Sequence, residues 1–597
     1  MRFKTCIGPV LLVLTGTYML HLSWFKWPDI FIDYGRELYV PWQLTQGKVL
    51  YSDLNHLYGP LSHYLNALLF YFFGVGLSTL AYFNIILIVL LVFLIFALFN
   101  AAFGRFIATV TGLCFLFVFA FSQYVGVSNY NFVCPYSHEI TYGIFLFFLL
   151  LHIFRKYLAK PQGIGAVLMG FIVGLIFLTK VEIFVATITT FLVGIIFTGW
   201  LLKPPEFRRH LFLMAISFLL PIVAFFIYFG LRMPLADAGQ AVIASYKSIF
   251  MGPLVNNIFY LQVSGFNNPL ENIKRMFGQA AGYVVMMTFT AVISYLYARM
   301  HKGLFKYLWI VTIFILVFSL IHLGYLTIPW MEIARPYPLF LFAFLIFLIA
   351  SFLMKREDKA FLVEYMPFAL LALFALCLLI KMILNVHIYH YGFALAMPAS
   401  LVMVAVFLYY LPRWFSPWGS KEVVTVFMVL LIILSVISYH NATKRIYDLK
   451  NYPVSEGRDR FFTFNERLAN YGPVVNMTLK QIDQLMSKND TFIVFPEGVM
   501  LNYLSRRGNP TRFFEFTPNF VEAVGEREII SALTAGRPGF IVLTDKDTTE
   551  HGARYFGKNY ALNVYGWIAA NYERRLLIGP EPLTGNGFGI SITKRKG

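Results

Sequence analysis

The chain of 597 residues is 59% hydrophobic, 18% aromatic and only 13% charged, with a formal net charge of +18. Soluble chains carry about a quarter charged residues, and half that density does not cover several globules with water-compatible surface, so a soluble multidomain fold is excluded. Cys6, Cys114, Cys134 and Cys377 are too few for a disulfide framework or a cysteine-rich metal site, and the scattered basic residues form no stripe, so no nucleic-acid partner is expected.

The first apolar run, 7–24, follows Arg2 and Lys4, and Trp24, Phe25, Lys26 and Trp27 after it read as an interfacial anchor, not a cleavage site. A spanning helix needs roughly 20 apolar residues. Runs of that kind cover 7–24, 79–103, 106–124, 139–154, 163–179, 183–202, 211–231, 281–298, 305–328, 336–354, 362–384, 393–411 and 423–440, thirteen in all. The further run 61–76 is short, follows Pro60, and carries Ser62, His63 and Asn66 in its first half.

Charge decides how that short run is read. If it does not span, loops assigned to the cytoplasm hold seventeen Lys and Arg residues, against nine in the opposite loops up to residue 440. This is the positive-inside pattern, and it would reverse if 61–76 crossed. The run is therefore expected to be interfacial or re-entrant. The chain is then a multi-pass protein of the cell (inner) membrane, with its amino terminus cytoplasmic and its carboxyl end extracytoplasmic. Nine of the fourteen Asp and Glu residues before position 441 fall on the outer side, which makes that face the expected site of chemistry.

The first outer loop, 25–78, is rich in Trp, Tyr, Asp, His, Gly and Pro, and a helix over 36–46 would put Leu38, Tyr39 and Trp42 on one face, suited to the headgroup level. The second, 232–280, contains the turn sequences Met251-Gly252-Pro253 and Phe266-Asn267-Asn268-Pro269. The tail, 441–597, is richer in charge and reads as a soluble α/β domain apart from the membrane domain, 1–440. Strands are expected at 491–495, 540–544 and 574–578, with a helix at 499–504 after Pro496-Glu497-Gly498. It has no glycine-rich phosphate loop and no HExxH or CxxC motif, so it is expected to be an accessory or acceptor-binding module, with Phe495 to Gly498, Asn502, Tyr503, Arg506 and Arg507 either a polar rim or ordinary turn and surface residues.

Asp33 comes just after the first span, at the outer surface, where a lipid-linked substrate presents its headgroup. It is either a general base for an acceptor hydroxyl or the cap of the helix beginning near Tyr34. Lys180 is a charge at a span end, either snorkelling or pairing with Glu182, or contacting phosphate. Arg335 faces outward against the positive-inside trend and is a candidate phosphate clamp. His387 and His390 are spaced to share a helical face, as metal ligands or as interfacial and substrate contacts.

The sequences Asp33-Tyr34-Gly35-Arg36-Glu37-Leu38-Tyr39, Gln46-Gly47-Lys48-Val49-Leu50-Tyr51-Ser52-Asp53 and Tyr58-Gly59-Pro60-Leu61 resemble the first outer loop of membrane glycosyltransferases of the GT-C type. The branch most resembled joins dolichyl-phosphate-mannose protein mannosyltransferases and aminoarabinose transferases. Tyr136-Ser137-His138-Glu139-Ile140-Thr141 and Gly174-Leu175-Ile176-Phe177-Leu178-Thr179-Lys180 are similar to two further family elements, although the Lys-Pro-Pro-Leu form is here Tyr-Gly-Pro-Leu.

The resemblance implies a GT-C-like membrane domain of about thirteen helices with interfacial helices in the first outer loop. It also implies transfer of a sugar from a polyprenyl-phosphate donor to a glycan, lipid or protein acceptor, with inversion and with Asp33 as base. Substrate or phosphate is expected at Lys180, Arg335, Tyr58, His56, Glu182, His390 and Tyr391. A divalent cation (magnesium, manganese or zinc) is expected at Glu139 and His138, with Asp33 sharing it. The competing expectation is a transporter or flippase of lipid-linked saccharides, which would carry charged residues within broken spans; here the span interiors are almost free of them.

Overall fold

A computed structural model describes residues 3–31, 33–247, 257–300 and 330–597, with isolated residues between 300 and 330. Ile32, most of the run expected to span at 305–328, and the turn at Met251-Gly252-Pro253 lie outside the described residues.

The apolar runs fold as helices, the form in which a segment in hydrocarbon satisfies all its own backbone polar groups. In chain order they begin with α1 (Phe3–Ser23), α2 (Asp33–Thr45), α3 (Leu61–Phe73), α4 (Leu77–Phe103) and α5 (Arg105–Phe115). Then follow α6 (His138–Ala159), α7 (Gly163–Phe177), α8 (Val181–Phe197) and α9 (Phe207–Gly230). Later helices include Pro269–Arg299, Tyr337–Met354, Lys359–Leu379 and Lys421–Asp448. Among the described residues, nine helices are long and apolar enough to cross a membrane, and the chain is a multi-pass membrane protein. The helices of α1, α5 with its π-helical continuation, and α7 are apolar but shorter.

Helix α3 has 13 residues, a length of about 20 Å, against the ~30 Å of hydrocarbon that a span must cross. Its buried residues, Ser62, His63, Asn66, Ala67 and Phe70, mark one helical face, while Leu68, Tyr71, Phe72 and Phe73 are exposed. The polar first half of the run thus points into protein. Helix α2 differs from the surface helix expected from its aromatic face, because Tyr34 to Gln43 are all buried. The tail covers it: Tyr39 Oη accepts the Asn509 backbone N–H at 2.8 Å.

Two compact units form. One comprises 1–19, 92–124 and 264–444, and the other 20–91, 125–263 and 445–597. The first contains α5 and the helices Tyr337–Met354, Lys359–Leu379 and Met397–Ala405. The second joins the loop after α1, α6 to α9 and the tail. The helix Lys421–Asp448 runs through residue 440, and strand β1 (Lys450–Val454) follows at once, paired antiparallel with β2 (Phe461–Phe464).

The rest of the tail is a mixed α/β region. Strands β3 (Phe492–Phe495), β4 (Phe540–Thr544), β5 (Tyr572–Ile578) and β6 (Ile590–Arg595) form a sheet of order β3-β4-β6-β5. Strands β3 and β4 are parallel, and β6 is antiparallel to both its neighbours. Every residue of β3 and β4 is buried, as expected of parallel strands covered on both faces. The three strands and the helix expected near residue 499 are present, and the hairpin and β6 are additional.

In the second unit, the Tyr58-Gly59-Pro60-Leu61 element docks on the end of α7. Gly59 N–H donates to the Thr179 carbonyl at 2.7 Å and Leu61 N–H to that of Leu178 at 3.1 Å. A Cβ at Gly59 would lie 2.2 Å from the Leu178 oxygen, so only glycine permits the contact. Gly59→Ala is expected to cost about 1–3 kcal/mol, measured as a lower Tm of the detergent-solubilised chain. Gly126→Ala, whose Cβ meets nothing within 4 Å, is expected to stay within about 0.5 kcal/mol of wild type; equal Tm values for the two would contradict the docking.

Candidate functional site

The docking of Gly59 on Thr179 brings Tyr58 beside Lys180, which immediately precedes α8 on extended backbone. The Lys180 ammonium lies 4.1 Å from the centre of the Tyr58 ring and 5.7 Å from that of Tyr136. From the first turn of α2, Arg36 reaches the same rings, at 5.6 Å from Tyr58 and 4.9 Å from Tyr136. The two phenol oxygens are 3.2 Å apart. Arg36 and Lys180 are both buried. Burial works against the charge of Arg36, but Tyr136, Tyr58, Glu37 and Glu515 hold it protonated. Its carboxylate neighbours stand off, with Glu37 and Glu515 each 3.7 Å away, and its Nε and Nη2 atoms make no hydrogen bond. Two cations on one pair of aromatic rings out of water form a ready site for an anion.

Asp33 opens α2, and with Arg36 it lines a small cavity whose other walls, Glu497, Gly498, Val499, Phe514 and Glu515, come from the tail. Solvent reaches part of its surface, yet the surroundings shift it strongly. Burial pushes the Asp33 carboxyl up to about 7, with Arg36 and Lys546 opposing and Glu515 and Asp29 adding. A carboxyl that titrates there is matched to proton transfer near neutral pH.

A second cluster joins His56, His63 and Glu139. Glu139 Oε1 lies 3.3 Å from Nε2 of each histidine. Neither Glu139 oxygen, neither His63 nitrogen and not His56 Nε2 has a hydrogen-bond partner, although all are buried. Their ligating atoms lie within 4.8 Å of one another. Burial pushes His56 below its ordinary value, towards the neutral imidazole that binds metal. Orphaned polar atoms at such a density are costly without a partner, and two imidazoles with one carboxylate fit zinc better than magnesium. The trio does not include Asp33.

His138, expected beside Glu139 as a metal ligand, is engaged elsewhere. Its Nδ1 is 2.6 Å from Glu37 Oε2, and its Nε2 is 3.0 Å from Asn84 Nδ2. Asn84 can only donate from that nitrogen, which assigns the His138 proton to Nδ1. Both ring nitrogens of His138 are thus used, at Glu37 and Asn84, and the group with metal-ligand spacing is His56, His63 and Glu139. Sequence reasoning placed His56 with the substrate contacts and missed His63; the signal for His63 was a polar cluster opening an apolar run.

Glu182 lies in the first turn of α8. The remaining expected residues belong to the other unit. There Arg335 donates to Asn272 Oδ1 at 3.0 Å, Asn385 Oδ1 at 2.9 Å and the Leu384 carbonyl at 3.4 Å, with Glu332 3.4 Å from its Nε. This ties three chain segments together. The His390 ring packs edge-on against Tyr391 at 4.3 Å. His387 stacks on Tyr389 at 4.2 Å and hydrogen-bonds the Asn385 carbonyl. Among the described residues, the metal-competent group is His56, His63 and Glu139, and it does not include this pair.

No family model and no curated protein matches the chain. Solved structures align with it at low identity. Archaeal oligosaccharyltransferase AglB from Archaeoglobus fulgidus, in complex with an inhibitory peptide and a dolichol-phosphate, aligns with a TM-score of 0.46 and 13% identity, over 91% of this chain and 70% of that one. The oligosaccharyltransferase of that organism in complex with Zn and sulfate gives 0.45 and 13%, over 89% and 67%. ArnT from Cupriavidus metallidurans, bound to undecaprenyl phosphate, gives 0.43 and 13%, over 98% and 97%.

The His56–His63–Glu139 geometry predicts about one zinc per chain after purification and equilibration, read by elemental mass spectrometry. His63→Ala is expected to lose that metal and His138→Ala to keep it. The reverse order would contradict the ligand assignment.

Proposed function

We propose that this chain is an integral-membrane glycosyltransferase that moves a sugar from a polyprenyl-phosphate donor to a hydroxyl acceptor at the extracytoplasmic side. The observation that carries the reading is the pair of buried cations, Arg36 and Lys180, over Tyr58 and Tyr136, one helical turn from a carboxyl that titrates near neutrality. The cage offers a place for the phosphate of a lipid-linked donor, and Asp33 offers the base.

In the reaction, the acceptor oxygen bonds to the anomeric carbon while the bond from that carbon to the phosphate oxygen breaks. The phosphate stays on the lipid and takes the bonding electrons, and Arg36 and Lys180 hold the charge that develops on it. Asp33 takes the hydroxyl proton. Attack opposite the leaving phosphate inverts the anomeric centre. His56, His63 and Glu139 would hold a divalent ion, which supplies Lewis-acid charge for phosphate oxygen. Arg335 acts in this reading as the tie between its own segments, with Glu182 and His390 as partly exposed outer-face residues for substrate and the buried Tyr391 packed beside His390. The amino terminus is cytoplasmic, and the tail, 441–597, is extracytoplasmic and faces the acceptor.

A flippase would move the same lipid without cleaving it. Asp33→Asn is expected to reduce transfer of radiolabelled sugar from polyprenyl phosphate about 100-fold or more, with expression and Tm unchanged. The wild-type rate is expected to rise with pH through about 7, where Asp33 loses its proton and becomes the base. Near-wild-type turnover by Asp33→Asn would sink the assignment.

A further inference from the structure

The turn of the β1–β2 hairpin is seated on the junction between α3 and α4. Arg458 Nη1 donates to the Phe73 carbonyl at 2.6 Å, and Asp459 Oδ1 accepts from the Leu77 N–H at 2.9 Å. Strand β2 is also fixed to the segment after α1, where Phe462 N–H donates to the Phe25 carbonyl at 2.8 Å. Between these attachments lies a groove of about 920 Å³, lined by Trp24, Phe73, Tyr82 and Ile86 among others, and by Arg458 and Arg460 from the turn. Those four apolar side chains are each at least 40% exposed, and Tyr82 and Ile86, four apart, share one face of α4.

The charges of the turn do not cancel. Asp459 lies between the two arginines in sequence, but its carboxylate is used elsewhere: Oδ1 also accepts from Tyr503 Oη at 2.8 Å, and Oδ2 pairs with Arg506. Glu456, the other acid of the turn, is exposed and pairs with neither arginine. Among the described residues, no carboxylate lies within ion-pair distance of Arg458 or Arg460. The Arg460 guanidinium rests 5.4 Å from the centre of the Phe462 ring.

We propose that this groove binds an anionic phospholipid of the bilayer, with its phosphate on Arg458 and Arg460 and its acyl chains against Phe73, Tyr82 and Ile86.

The two halves of the groove select for an amphiphile. A free phosphate leaves the apolar wall uncovered, and a lipid without net charge leaves two cations without a counter-charge; an anionic phospholipid satisfies both. The Trp24 and Tyr82 rings, 6.3 Å apart, are of the kind that sits at the headgroup level of a membrane, which puts the arginines where phosphates are. Both guanidiniums are exposed, so each adds only modestly to affinity. That suits a lipid forming a large share of the leaflet and does not select a scarce one. The lipid-linked donor is left to the buried cations Arg36 and Lys180, with which the groove shares no residue.

Native mass spectrometry of the purified full chain in detergent, titrated with dioleoylphosphatidylglycerol or dioleoylphosphatidylcholine, tests this without reading transfer activity, so its outcome is independent of the transferase reading. Wild type is expected to hold the anionic lipid about fivefold or more tighter than the zwitterionic one. Arg460→Glu should bring phosphatidylglycerol down to the phosphatidylcholine level, and it carries the test even if Arg458→Gln unseats the turn. Arg575→Glu, the same charge change on exposed β5, should keep the preference. Inorganic phosphate at equal concentration should leave the bound lipid in place, and undecaprenyl phosphate should bind wild type and Arg460→Glu equally. An equal lipid preference in wild type and Arg460→Glu, its loss in Arg575→Glu as well, or displacement of the lipid by inorganic phosphate would overturn the site. Loss of undecaprenyl phosphate in Arg460→Glu to the same degree as phosphatidylglycerol would overturn the phospholipid as its occupant.

Discussion

Holding Arg36 and Lys180 out of water on the same two tyrosines is the constraint on which the rest of the second unit depends. Two like charges in a region of low dielectric repel strongly and are costly to desolvate. The tyrosine faces offset part of that cost through cation–π attraction, of the order of 0.5–2 kcal/mol for each ion, and Glu37 and Glu515 add longer-range attraction for Arg36. Neither carboxylate comes into hydrogen-bond range of Arg36, so its guanidinium is not neutralised by a tight pair with either of them. An anion of the right size completes it.

Several local features follow from that arrangement. Gly59 is glycine because Tyr58 reaches Lys180 only if the chain passes against the Leu178 and Thr179 carbonyls. Gly35 is glycine because the tail must close on α2 from its other side. The tail therefore contributes walls to the Asp33 cavity, where it supplies Glu497 and Glu515. Burial by the tail raises the proton affinity of Asp33, while Arg36 and Lys546 keep it from rising further. The same enclosure that excludes water from the cage also raises the proton affinity of the carboxyl beside it.

Much of the fold was legible because membrane helices announce themselves by length and apolarity. Twelve of the thirteen runs read from the sequence coincide with helical segments among the described residues. The run 61–76 was set apart by charge bias, and it folds as a helix of 13 residues with its polar face buried. In the tail, β3 and β4 were visible as compact apolar runs, whereas β1 and β2 carry Lys450, Asn451 and Thr463 and lack such a signature. The site was legible in part. Asp33, Lys180 and Tyr58 stood out by position and by resemblance. Arg36 was hidden as one charge in a polar loop, and Glu497 and Glu515 lie more than 460 positions from Asp33, with no local pattern to join them. Adjacency along a helix points the His138 and Glu139 side chains in different directions, one to Glu37 and the other to His56 and His63, which the sequence did not reveal.

The cage makes a claim about phosphate that does not depend on the sugar or the acceptor. Its most direct test is equilibrium binding of a polyprenyl phosphate at pH 7 to the purified chain and to Arg36→Gln, a variant that keeps a planar polar group but removes the charge. The account predicts about tenfold or greater weakening, a smaller salt dependence than wild type, and an unchanged Tm. Equal affinity and equal salt dependence for the two proteins would contradict it.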